Sequence, residues 1–183
     1  MKEQEQLIYG CKQNDRKCQE KLYMKMYPTL FSLCKRFFDD DHDILSALNN
    51  GMLKVFKNLE QYNSAQAELN TWVYSIVRNE ALTMVRNQKS IMLTQELTDE
   101  IAEEIKVNPF GKYSEDSITH SLGKLPQITR AAFHLFYFEG YSIKEIGGAL
   151  DIKEGTVKWH LFEGRKKLQK IFNNKETRIA NTG

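Results

Sequence analysis

An all-α protein of two small helical domains joined by an acidic linker is what this sequence predicts, on three observations. Its 183 residues hold only 3 prolines and 10 glycines, with few alternating valine- or threonine-rich runs, which argues against a sheet. Apolar residues recur instead at three- and four-residue steps over most of the chain. Charge is also segregated. Between Ile91 and Asp116 the acids Glu96, Asp99, Glu100, Glu103, Glu104, Glu115 and Asp116 meet only Lys106 and Lys112. Between Ser142 and Lys170 the cations Lys144, Lys153, Lys158, Arg165, Lys166, Lys167 and Lys170 outnumber Glu145, Asp151, Glu154 and Glu163. With 41% hydrophobic and 27% charged content the chain suffices for one ordinary domain or two small ones. Its net charge of +2 is nearly neutral, so any affinity for nucleic acid must come from this local segregation.

Taken in order, Leu7 to Lys12 opens a helix expected to turn near Gly10. Cys18 to Phe37 continues as an amphipathic helix with Leu22, Tyr23, Met26, Leu30, Leu33, Cys34 and Phe37 on or near one face; Pro28 is where it would bend or divide. The run Asp39-Asp40-Asp41-His42-Asp43 has the composition of a metal site, but short acids ahead of a new helix read first as a solvated, N-capping loop. Leu45 to Leu59 follows, with Leu48, Met52, Val55, Phe56 and Leu59 at core spacing and Asn49, Asn50 and Lys54 on the other face. Gln61 to Glu68 is polar enough for a connecting loop. Leu69 to Lys89 is a long helix that buries Leu69, Trp72, Val73, Ile76 and Val77 and leaves Arg78, Arg86 and Lys89 for solvent or phosphate. Beyond Ser90 the pattern weakens to a short amphipathic stretch near Leu97 to Ile105 and the punctuation Asn108-Pro109-Phe110-Gly111. The expected divisions are a helical domain at residues 1–90, a linker at 91–116, a second domain at 117–175 and a disordered tail at 176–183.

The second domain carries the most specific pattern. Helices at Ser117 to Leu125 and Gln127 to Glu139 lead into Tyr141 to Leu168, where Ile143, Ile146 and Leu150 line one helical face and Val157, Leu161, Gly164 and Leu168 another. Between them Asp151-Ile152-Lys153 is a sharp corner that Ile152 can plug, although Lys153 is a poor N-cap; Glu154 sits well on the positive end of the helix that follows. This reads as a helix-turn-helix. At about 100° per residue, Gly155, Trp159, Phe162, Glu163 and Lys166 point away from the core face, with Thr156, Lys158 and His160 on its flanks. The outward side is where a major-groove reader places its contacts, and Arg165-Lys166-Lys167 puts cations where phosphates would lie. A plain helical hairpin is the competing reading. The aromatics Trp159 and Phe162 could equally pack on another domain or an inhibitory partner.

Other chemistries find little footing. Cys11, Cys18 and Cys34 are odd in number and lack a CxxC pair, so neither a disulfide frame nor a zinc site is suggested. The start MKEQEQLIYG has no apolar h-region and no stretch of about 18 apolar residues occurs, so neither a signal peptide nor a membrane span is expected and the location is read as cytoplasmic. There is no Gly-rich phosphate loop, no HExxH and no nucleophile-base pairing, and His42, His120, His134 and His160 are scattered; no enzyme, cofactor or metal is expected.

The whole arrangement resembles the extracytoplasmic-function group of bacterial sigma factors, within the sigma-70 family. Two segments carry the resemblance. LNTWVYSIVRNEALTMVR is similar to the family's helix that reads the promoter minus-10 element, and LPQITRAAFHLFYFEGYSIKEIGGALDIKEGTVKWHLFEGRKKL is similar to its minus-35 reading domain. The resemblance implies a subunit that binds core RNA polymerase, selects and opens promoter DNA, and can be masked by an anti-sigma factor. It places Tyr62, Asn63, Trp72, Arg78, Asn79 and Arg86 at the minus-10 element, with the Tyr62 to Glu68 loop holding a flipped-out base. For Trp72, core packing is the competing role. Thr156, Lys158, Trp159, Phe162, Arg165 and Lys166 fall at the minus-35 element, and Asn49, Asn50, Leu53, Lys54 and Phe56 at the polymerase. Departures are visible: Ser46, Asn49 and Asn50 stand where an acid and a Gln-Glu pair usually help docking, and Trp159, His160 and Glu163 replace residues that are often small or basic. A stand-alone helix-turn-helix regulator with a helical sensing or dimerisation domain is the alternative; only the sigma reading requires stable polymerase binding.

Overall fold

In a computed structural model the described residues are 3–88 and 115–180, and every regular element among them is helical. The chain divides into two compact units, Met1–Met84 and Val85–Gly183. No helix among the described residues is long and apolar enough to cross a membrane.

The first unit opens with α1 (Glu3–Lys12), which runs straight through Gly10. The expected turn comes later, at Asn14 with φ 59°. Gly10 serves packing instead: a Cβ there would lie 2.3 Å from Cys18 Sγ on the next helix. That helix, α2 (Arg16–Lys35), begins at Asp15, whose carboxylate accepts from the backbone N–H groups of Lys17 and Cys18 at 2.8 and 3.1 Å. It buries Leu22, Met26, Leu30, Leu33 and Cys34 and continues past Pro28, which is exposed. Asp40 then caps α3 (Asp41–Asn58), accepting from His42 and Asp43 N–H at 2.9 and 3.3 Å. Part of the expected acidic loop is thus the first turn of α3, where Asp41 and Asp43 complement the helix dipole.

A short 3-10 turn (Leu59–Gln61) and a loop lead into α4 (Leu69–Asn87). Helices α3 and α4 cross closely at Gly51, where a Cβ would sit 2.9 Å from the Cα of Val77. Ile44, Leu48, Met52, Val55, Leu69, Val73, Val77 and Val85 are all within 1 or 2% of complete burial. Of the residues expected inside α4, Trp72 and Ile76 are only half-buried.

The second unit contains α5 (Glu115–Leu122), α6 (Gln127–Tyr137), α7 (Ile143–Leu150) and α8 (Glu154–Ala180). Except for its last two positions, which open α5, the expected linker at 91–116 lies outside the described residues, as do its Leu97 to Ile105 stretch and Asn-Pro-Phe-Gly punctuation. Helix α8 continues to Ala180, so the tail expected from residue 176 is helical to that point; neither Gly nor Pro intervenes after Gly164.

Candidate nucleic-acid interface

The corner of the helix-turn-helix is built by local chemistry. Ser142 and Glu145 form a reciprocal capping box on α7: Ser142 Oγ accepts from Glu145 N–H at 3.2 Å, and Glu145 Oε2 accepts from Ser142 N–H at 2.8 Å. The Ser142 hydroxyl also donates to Glu145 Oε2 at 2.7 Å, and this bond, with that from the Ser142 N–H, holds the exposed Glu145 carboxyl below the usual carboxylate range. At the other end Asp151 adopts the left-handed conformation, φ 52°, and the Ile152 N–H returns to the Gly147 carbonyl at 3.0 Å. A Cβ on Gly147 would approach the Ile152 carbonyl to 2.9 Å, so the glycine lets the chain reverse this tightly. Ile152 is half-buried in the angle, and an open groove of about 470 Å³ runs past it between Lys144 and Lys153.

Helix α8 is seated on α6 through small and polar groups as well as apolar ones. Val157, Leu161 and Leu168 are fully buried. His160 Nδ1 pairs with Thr129 Oγ1 at 2.9 Å, and a Cβ on Gly164 would meet Thr129 Cγ2 at 3.1 Å and Phe133 at 3.3 Å. Burial, helped by the Lys167 ammonium, lowers the His160 pKa to about 4 and keeps the ring neutral. This inward pull reaches further round the helix than the spacing of apolar residues predicts. Thr156, expected on the DNA side, is buried at 4% exposure and cannot present its hydroxyl to a base; His160, expected on a flank, is buried as well. Arg165 is turned towards Tyr137, whose hydroxyl it hydrogen-bonds; burial still raises that phenol above its ordinary pKa. The outward face therefore comprises Lys158, Trp159, Phe162 and Glu163, each half-exposed, and the exposed Lys166.

In the first unit the loop before α4 is ordered by its own backbone. Asn63 Oδ1 accepts from the Ala65 N–H at 2.9 Å, while its carbonyl accepts from Gln66 at 3.1 Å. Tyr62 OH donates to the Ala67 carbonyl at 3.1 Å, and its ring lies 5.3 Å from that of Trp72, tilted by 52°. Trp72 is thus neither a plain core residue nor an open platform: it forms a half-buried aromatic wall with Tyr62. Seven-residue steps put Trp72, exposed Asn79 and half-buried Arg86 along one stripe of α4. Arg78, one residue before Asn79, points about 100° away from that stripe and is not brought together with it.

The expected docking residues on α3 meet two partners that their spacing does not reveal. Lys54 Nζ donates to Glu80 Oε2 on α4, and Glu80 is buried. Asn49 Oδ1 accepts from Tyr23 OH at 2.8 Å. Asn50 and Leu53 are exposed and Phe56 is half-buried. Tyr23 itself begins an aromatic ladder on α2, with ring centroids 5.9 Å to Tyr27 and 5.6 Å from there to Phe31. The four-residue spacing of these rings was the available signal for a half-exposed aromatic ridge beside α3.

Comparison with known proteins adds two family matches. Residues 22–91 match the model of Sigma-70 region 2, and residues 115–168 that of Sigma-70, region 4. The chain is 30% identical over 146 residues to ECF RNA polymerase sigma factor SigE of Mycolicibacterium smegmatis, covering 76% of this chain but only 56% of that relative. It is 25% identical to ECF RNA polymerase sigma factor SigW of Bacillus subtilis, over 77% of this chain and 81% of that one. The RNA polymerase sigma-H factor of Pseudomonas aeruginosa is 22% identical across 91% of this chain and 92% of its own.

Proposed function

Because the chain belongs to the extracytoplasmic-function group of the sigma-70 family, we propose that it binds core RNA polymerase and directs it to promoters as a dissociable initiation subunit. The observation that carries this is the order of the two matched regions, 22–91 and then 115–168, the second containing the helix-turn-helix. A sigma factor works by binding and is not an enzyme. The stand-alone regulator loses its support, since the N-terminal half matches a sigma region and not a sensing domain.

In this reading the second unit docks at the minus-35 element with α8 in the major groove. Lys158 and Lys166 reach phosphates or guanine edges, while Trp159 and Phe162 face the bases. Thr156 and Arg165 support the helix from behind. The loop before α4 and α4 itself hold the minus-10 element, with Tyr62, Trp72 and Asn63 walling a site for a displaced base and Asn79 and Arg86 continuing along the strand. Polymerase docks over exposed Leu53 and Asn50, with Asn49, Lys54 and Phe56 at the edge. The place of action is that of polymerase and chromosome, the cytoplasm, and an anti-sigma factor covering these surfaces is a fitting regulator. Run-off transcription with core polymerase and a genomic DNA pool tests the reading. New start sites sharing two spaced elements are expected; their absence across reasonable salt conditions would overturn it.

A further inference from the structure

The rotation of α8 about its own axis is fixed from the inside. Thr156, Val157, His160, Leu161 and Leu168 are buried, Thr129 holds His160 at 2.9 Å, and Gly164 leaves no space for rolling against Thr129 and Phe133. What remains to face a ligand is two cations, one carboxylate and two aromatic rings. Trp159 and Phe162 stand three residues apart and so lie side by side on the face. Trp159 is restrained edge-on against the buried His160 at 4.9 Å between centroids, and Lys166 Nζ lies 6.0 Å from the Phe162 centroid. A half-buried, restrained ring offers apolar surface at low entropic cost.

A major groove presents one apolar group to such a surface, the 5-methyl of thymine. Glu163, one turn beyond Trp159, is an acceptor only and has nothing to offer the O6 and N7 acceptors of guanine; it suits the amino groups of adenine and cytosine. Building on the minus-35 reading above, we infer that Trp159 and Phe162 are specificity-determining residues that select thymine through its methyl group. Lys158 and Lys166 supply the phosphate contacts on either side of them.

Holoenzyme assembled from the full chain and core polymerase is first used to enrich a duplex library randomised over the minus-35 element. Each thymine of the enriched sequence is then replaced singly by uracil, which removes the methyl group and keeps the pairing. Shielding a group of this size from water corresponds to about fourfold in binding. A loss on the order of four- to tenfold is therefore expected at one or two positions, and thymine and uracil should become equivalent there in Trp159→Ala or Phe162→Ala. The uracil arm alters only DNA, so it decides the matter even if a truncated variant folds poorly. Equal binding of thymine and uracil probes by the unmodified protein, or a preference that survives both substitutions, would overturn the inference and move the rings to a protein contact. Failure to enrich any minus-35 sequence overturns both this inference and the reading beneath it, whereas enrichment with indifference to the methyl group overturns this one alone.

Discussion

His160 is a titratable group held neutral inside the helix-turn-helix unit, and its protonation should set that unit's tolerance of acid. Its folded pKa, about 4, lies below the ordinary 6.5, so between those values the unfolded chain binds more protons than the folded one. Stability is therefore present above the unfolded pKa and is lost as pH falls from there towards 4. Between pH 7 and pH 5 the loss should be about 2 kcal/mol, measurable by urea unfolding. A His160→Gln variant, unable to titrate, should lose much less; an equal loss would place the acid sensitivity elsewhere. Lys54 and Glu80 make a second case. The Glu80 carboxylate is nearly enclosed, with 10% side-chain exposure, and Lys54 neutralises it from a position 52% exposed. Replacing Lys54 by Met should cost about 1–3 kcal/mol by stranding that charge, and Lys54→Glu should cost more. The double variant Lys54→Met, Glu80→Leu should recover most of the loss in a thermal melt; no recovery would mean that the pair contributes nothing. Neither feature was legible in the sequence. Spacing at 100° per residue finds the centre of a buried face, but its edges depend on what the neighbouring helix brings, here Thr129 against His160 and Glu80 beneath Lys54.

Elements were more legible than their joints. The amphipathic spacing of α2, α3, α6 and α7 predicts each of them, because three- and four-residue apolar steps suffice to bury one side of a helix. Their ends depend on single polar groups. Asp40 starts α3 two residues beyond the point where the acidic run begins, and α1 ignores Gly10 because that glycine answers to Cys18. Glycine inside a helix can thus mean a close crossing instead of a break, and two substitutions separate the cases. Gly51→Ala forces α3 away from the backbone of Val77, and overpacking should outweigh the gain in helix propensity, for a net loss of about 1–2 kcal/mol. Gly148 meets nothing within 4 Å of a built Cβ, so Gly148→Ala should stabilise the second unit by about 0.5–1 kcal/mol. Melting temperatures that move the same way in both variants would contradict this account. On the outer side of α3, Leu53 is 52% exposed and makes the better probe of docking, since changing Lys54 disturbs Glu80. Leu53→Ala should weaken capture of core polymerase while leaving the melting temperature nearly unchanged, and full retention in a pull-down would remove α3 from the docking surface.

At the scale of the whole molecule, the proposed function assigns each of the two folding units its own part of one promoter. With a near-neutral net charge of +2, bulk attraction is weak, and the proposed promoter binding would draw on local surfaces, the Tyr62 to Glu68 loop with α4 and, separately, α8. Each surface is held by its own core: Tyr62 and Asn63 by bonds within the loop and the Trp72 ring, and α8 by Thr129, Gly164 and the buried Val157 and Leu161. Changes in one should then leave the preference of the other intact and combine multiplicatively with it, as expected for sites sharing no partners. Exchanging residues 62–68 for the loop of a relative should alter minus-10 preference without touching minus-35 selection. Lys166→Ala should weaken every minus-35 sequence alike and lower the salt slope by about one, the mark of one lost phosphate contact. Holoenzyme binding to promoters carrying all combinations of altered elements measures both at once. A loop exchange that changes only the minus-35 preference would show that the two surfaces have been assigned to the wrong units, and a strong departure from multiplicative losses would show that the units read DNA as one body.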